Sequence, residues 1–222
     1  MSLRVTAVLS SPLCGEAPML DGVLEYEVAV LQGLANRLRK DIPLPEESGL
    51  ELPVARKTFG GCAIYRCSSP IVDTRHEGRE FVTKRLAVEH AGDLHPSQRL
   101  SVAVGNSTFK SYRLPLKVTR PSEVVWFCHG HRQPIHKLLK RVTAIGRKRS
   151  VGYGRVSQWL VEEIDEDYSL FAMEPQGRPV LMRPLPLCSE LPGDLLGWRQ
   201  DFAGIRPPYW HPDRFAECVV PC

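Results

Sequence analysis

The residues best suited to chemistry lie together in the run Gly146–Arg155, GRKRSVGYGR. Gly146, Gly152 and Gly154 admit backbone conformations closed to other residues and let a ligand approach the main chain. Arg147, Lys148 and Arg149 stand between them, and Arg155 ends the run. Cationic side chains beside free backbone N–H groups suit the oxygens of a phosphodiester. Tyr153, flanked by glycines, is positioned to stack on an unpaired base. The spacing excludes two nucleotide-cofactor loops. No Lys follows Gly152, as a Walker A loop requires, and the G-x-G-x-x-G fingerprint is absent.

The surrounding charge agrees with a polyanion contact. The 222-residue chain has 29 Lys and Arg against 25 Asp and Glu, a formal net charge of only +4, so overall balance decides nothing. Distribution does. From Arg132 to Arg155 there are eight cations and no acid, and Glu162, Glu163, Asp165, Glu166 and Asp167 follow directly. A basic block beside an acidic one predicts a bipolar surface.

A second constellation is Cys128-His129-Gly130-His131, with Cys62 and Cys67 as further sulfurs. That run contains neither the C-x2–4-C nor the H-x3–5-H pair of a zinc site. Structural thiols and a surface histidine pair are expected instead, with no metal and no cofactor. The seven cysteines are an odd number without regular spacing, which fits free thiols in a reducing cytoplasm. No apolar run approaches the roughly 18 residues of a membrane span, and no membrane partner is expected.

The elements that must position these residues follow from periodicity. Residues 3–10 suit a first strand. Leu20, Leu24, Val28, Leu31, Ala35 and Leu38 form a helical stripe that Pro43 and Pro45 stop. Residues 62–73 suit a strand followed by a loop, and 74–98 a polar excursion carrying His76, Lys84, Arg85, His90 and His95. Residues 99–105 and 108–119 suggest a hairpin turning at Gly105-Asn106-Ser107, and 123–128 a buried strand. Ile135, Leu138, Leu139, Val142 and Ile145 predict a second helix with Gly146 as its left-handed cap. Val156, Trp159, Val161 and Ile164 fit a closing strand. Trp126 and Trp159 are expected in the core. Beyond about Pro175 the chain is rich in Pro, Gly and Trp without periodicity, which predicts a tail packed on the domain.

The predicted class is α+β: a βαββαβ, ferredoxin-like (RRM) core with a long hairpin (thumb) insertion and an irregular C-terminal tail. The expected division is 1–170 for the core, including the excursion 74–115, and 171–222 for the extension.

An amphipathic helix running into a G-[RK]-x-R-x-x-G-[YF]-G turn resembles the glycine-rich loop of the RAMP superfamily of CRISPR-associated proteins. Pro18-Met19-Leu20-Asp21-Gly22, residues 142–159 and Arg206-Pro207-Pro208-Tyr209-Trp210-His211-Pro212 followed by Cys218 resemble one branch. That branch is the Cas-five-like (Csf-three-type) subunit of type IV CRISPR effector complexes. The resemblance implies a cytoplasmic, non-catalytic subunit of an antiviral ribonucleoprotein. It would bind the five-prime handle of the guide RNA (crRNA) and cap a filament of Cas-seven-like backbone subunits, with a large subunit as a further partner. Carried onto this chain, Arg147, Lys148, Arg149, Gly152, Tyr153, Gly154 and Arg155 become handle contacts. Lys84, Arg85, Lys110 and Arg113 become thumb contacts, and Lys57, with Arg56, a further phosphate contact. The alternative within the superfamily is a metal-independent endoribonuclease using His129, His131, Tyr153 and Lys148 as general acids and bases.

Overall fold

The structure is a computed structural model that describes residues 1–34, 50–73, 76–85 and 110–221. Over these residues it is α+β, mostly antiparallel strands with two α-helices. Strands β1 (Ser2–Leu9), β5 (Ile71–Val72), β8 (Glu123–His129) and β9 (Val156–Glu163) form a sheet of order β5-β8-β1-β9, antiparallel at every pairing. Its strands alternate. Leu3, Val5, Ala7, Val124, Trp126, Cys128, Trp159 and Val161 are buried in one cluster with Leu20, Leu24, Ile135 and Leu139 of helices α1 (Leu20–Leu31) and α2 (Arg132–Leu139). As expected, Trp126 and Trp159 are core. Their rings stack at 5.9 Å, and their indole N–H groups donate to the carbonyls of Pro18 (3.0 Å) and Val142 (2.9 Å).

Both helices are shorter than their apolar stripes. α1 stops at Leu31 because Gly33 takes a left-handed φ of +69°. The Leu34 N–H then bonds the Ala29 carbonyl (2.7 Å) and the Gly33 N–H the Val30 carbonyl (3.1 Å), a Schellman closure that saturates the last turn. The expected continuation through Ala35 and Leu38 lies outside the described residues. α2 ends at Leu139, so Val142 and Ile145 reach the core from irregular chain. Gly146 is left-handed, with φ +79°, but sits well past the helix end rather than capping it.

The excursion is also reorganised. Strand β7 (Tyr112–Thr119) pairs with β6 (Glu77–Lys84), a segment expected to be polar and aperiodic, in the register Glu77↔Thr119 to Lys84↔Tyr112. Its polar residues are tolerated because most of β6 is exposed. The proposed strand 99–105 and turn at 105–107 lie outside the described residues. A short strand β2 (Leu13–Cys14) pairs with the base of β7. Ahead of β5, strands β3 (Arg56–Phe59) and β4 (Cys62–Tyr65) close a hairpin on Gly60-Gly61, both at positive φ. The Gly-Gly pair is a hairpin signal that stands just ahead of the strand and loop expected over 62–73.

The C-terminal tail is not irregular. Strands β10 (Phe171–Met173) and β11 (Pro179–Leu181) pair, and β12 (Leu185–Pro186), β14 (Phe215–Pro221) and β13 (Trp198–Gly204) form a second sheet. Leu170, Leu181, Leu185, Leu195, Ile205 and Val219 bury a separate cluster together with Phe59 and Ile64 of the β3–β4 hairpin. Trp198 and Trp210 of this tail are 41% and 44% exposed.

One buried ion pair ties the two clusters together. Arg183 and Asp21 are both fully buried, 3.3 Å apart. Arg183 also donates to the carbonyls of Tyr65, Cys67 (3.1 Å) and Ile205 (3.0 Å) and to the Tyr209 hydroxyl (2.8 Å), which in turn donates to Asp21 (2.8 Å). Burial works against the Arg183 charge, but Tyr209 and Asp21 outweigh it and hold the guanidinium protonated beyond its ordinary range. Removing one member leaves the rest buried and uncompensated. Asp21→Asn and Arg183→Met are each expected to cost about 3–5 kcal/mol, with Arg183→Met the larger because it also takes a donor from three carbonyls. Urea denaturation checks this, and a wild-type midpoint for Arg183→Met would refute it.

Candidate functional site

The basic turn is a loop closed at its neck by backbone pairing. Ala144 bridges Arg155, the Ile145 N–H bonds the Gly154 carbonyl (2.9 Å), and the Val156 N–H bonds the Thr143 carbonyl (2.9 Å). Its head is a single 3-10 turn, Arg149–Val151, entered at Lys148 (φ +58°) and left at Gly152 (φ +99°). Two further bonds pin it to the segment after β1: Arg147 N–H to the Cys14 carbonyl (3.0 Å) and Gly154 N–H to the Pro12 carbonyl (2.7 Å). The Ser11 hydroxyl accepts from the Arg155 N–H (2.8 Å). A Cβ at Gly15 would stand 3.0 Å from Arg147 Cδ, so the arginine stem lies across that glycine.

Arg147, Lys148, Arg149 and Arg155 are all exposed, and none forms an ion pair among the described residues. Desolvation is therefore small, and each charge stays available to an anion.

Tyr153 makes a contact that the sequence did not signal. Its hydroxyl donates to Glu80 of β6 at 2.5 Å, and this bond, with some burial, raises the phenol above its ordinary value. Arg120 holds the other Glu80 oxygen (2.9 Å). The turn is thereby docked on the base of the β6–β7 hairpin, where Gly15 N–H also bonds the Lys117 carbonyl (3.0 Å). No local pattern marks Glu80, because its bond to Tyr153 joins positions 73 residues apart.

The other predicted residues are not gathered at the turn. Lys84 and Arg113 lie toward the far end of the hairpin, Lys84 four residues beyond Glu80, or about 13 Å along an extended strand. Arg113 stacks over the Phe81 ring at 4.1 Å, and Arg85 and Lys110 are exposed beside the strand ends. Lys57 sits over Phe59 (5.0 Å) in the hairpin that packs with the C-terminal cluster. Arg56 is structural, bonding the Tyr65 hydroxyl (2.8 Å) and the Leu50 carbonyl (3.2 Å).

The histidine constellation is likewise dispersed. His129 pairs with Ser2 at one end of the sheet, whereas the turn adjoins the other end, where Val8 pairs with Glu123. Six residues of strand separate them, about 20 Å, so His129 and His131 do not meet Tyr153 and Lys148. Burial, with Arg66 nearby, lowers His129 below its usual value. Cys67 and Cys128 oppose one another in the interior; burial pushes Cys128 up to about 12 and Cys67 well above the ordinary thiol range. Among the described residues no three His, Cys, Asp or Glu side chains converge as a metal site, and no helix is long and apolar enough to cross a membrane.

The glycines separate backbone strain from packing. Gly152 faces open space, whereas a Cβ at Gly154 (φ +64°) would lie 1.9 Å from the Ile145 carbonyl oxygen. Gly152→Ala is expected to cost only the left-handed strain of about 1–3 kcal/mol. Gly154→Ala should cost clearly more and spread the neck of the turn, with paired urea melts as the measurement.

Two elements of the sequence pattern thus meet in space: Asp21 of Pro18–Gly22 and Tyr209 of Arg206–Pro212 close on Arg183, while the residues of 142–159 build the pinned turn. No curated protein matches the chain. The family model described as CRISPR type IV associated protein Csf3 matches residues 82–221, which include the turn and the Arg206–Pro212 element. That span is well over half of the chain, and the chain belongs to the Csf3 family of type IV CRISPR-associated proteins.

Proposed function

We propose that this protein is a non-catalytic guide-RNA-binding subunit of a type IV CRISPR complex, with the turn Gly146–Arg155 as its contact to the five-prime handle. The observation that carries this is the set of four exposed cations without ion-pair partners among the described residues, on a loop fixed by its own neck and by the segment after β1. A fixed cationic loop loses little conformational freedom on meeting a polyanion. The antiparallel order β5-β8-β1-β9 with two helices on one face supports a ferredoxin-like core, and the β6–β7 hairpin supports a thumb. On this reading Lys84, Arg85, Lys110 and Arg113 extend the RNA path along the hairpin, and Tyr153 holds the turn against it. Capping of a backbone filament, with a large subunit alongside, completes the role. The separation of His129 and His131 from the turn favours binding over cleavage.

Fluorescence anisotropy with single-stranded handle RNA across a salt series tests the proposal. Affinity is expected to fall with log salt by about 0.7 per phosphate neutralised. Arg147→Ala, Lys148→Ala and Arg149→Ala together should weaken binding and flatten the slope by about 2. An unchanged affinity and slope would remove the turn as the RNA contact.

A further inference from the structure

A cleft of about 190 Å³ opens beside the basic turn, between α1 and the chain leading into the loop. Val23, Tyr26 and Glu27 line it from the helix, and Ala144, Gly146 and Arg149 from the other side. We propose that this cleft receives one unpaired nucleobase, guanine in preference, from the strand whose phosphates lie on the turn. The inference rests on the RNA-binding reading above and adds a base-selective site to it.

Size, composition and position each argue for this occupant. Pockets for drug-sized molecules run to roughly 300–1,000 Å³, so the cleft suits a single flat ring system rather than a bulky ligand. Tyr26 is 49% exposed and offers an aromatic face of the kind on which unpaired bases stack. Glu27 is 9% exposed, and Arg141 binds its Oε2 at 3.2 Å. An ionised carboxylate offers only acceptors, so it selects a base edge made of donors. Guanine presents adjacent N1–H and N2–H groups. Cytosine and adenine present an amino group beside an acceptor, and uracil flanks its N3–H with two carbonyl oxygens that a carboxylate repels. Arg149 belongs both to the cleft wall and to the exposed cations of the turn, so a phosphate contact and a base site adjoin.

The full chain is titrated with labelled hexauridine and with hexamers in which a single G, A or C is stepped through the positions. One position is expected where G binds about tenfold tighter than U. Glu27→Gln should erase that preference, by loss of G affinity and by relief of the repulsion on U, while leaving the salt slope unchanged. Tyr26→Ala should weaken every base at that position about fivefold or more, again without altering the slope. Because Tyr26 is exposed, that variant keeps the test valid if Glu27→Gln loses its bond to Arg141 and unfolds. Salt-dependent binding with no base preference at any position would overturn the pocket and leave the RNA contact standing. Absence of salt-dependent binding would overturn both. A Tyr26→Ala chain that binds RNA normally but fails to assemble with its complex would give the cleft to a protein neighbour and refute the base site.

Discussion

A guanidinium with no access to water must be neutralised and surrounded by acceptors, and the fold is arranged around meeting that demand for Arg183. Asp21 supplies the charge from the first turn of α1, Tyr65 and Cys67 supply carbonyls from the strand and loop before β5, and Ile205 and Tyr209 come from the C-terminal lobe. These three segments lie in different parts of the chain. Hydrophobic burial alone does not align two clusters in a single orientation, because apolar contact has no direction. The hydrogen bonds at Arg183 do. The sheet with α1 and α2 and the C-terminal sheet are therefore joined by a directional contact.

The basic turn depends on directional bonds of another kind. Its charges need exposure, yet an exposed loop with free cations has little apolar surface with which to hold its shape. Backbone pairing solves this at the neck, between 143–145 and 154–156, and at the flank, against Pro12 and Cys14. The glycines allow close approach: at Gly154 a side chain would run into the Ile145 carbonyl, and at Gly146 into Leu13. Tyr153 then passes the position of the turn to the β6–β7 hairpin through Glu80, so two basic regions widely separated in sequence share a common support.

Much of the first lobe was legible in the sequence because its signals are local. Loose alternation marked β1, a compact apolar run β8 and the spaced apolar residues from Val156 β9, and the stripe beginning at Leu20 and Leu24 marked α1. What failed has physical reasons. A stripe of apolar residues continues past the point where Gly33 closes α1, because periodicity does not register a left-handed residue. β6 carries polar residues on exposed faces, so its pairing with β7 left no apolar pattern to follow. The C-terminal strands share a core with Phe59 and Ile64 from far upstream, and no window of the tail contains that partner.

For the candidate site the division is equally clear. The residue types in Gly146–Arg155 sufficed to identify a cationic, glycine-hinged loop, since charge and conformational freedom are properties of the residues themselves. The resemblance of Pro18–Gly22 and Arg206–Pro212 to one family was also present in the chain, but not the reason these segments occur together. Only the folded chain brings Asp21 and Tyr209 onto Arg183, draws Tyr153 to Glu80, leaves the turn's cations without ion-pair partners among the described residues, and sends His129 to the opposite end of the sheet. Those outcomes are distances between residues remote in sequence, and such distances are set by strand register and packing.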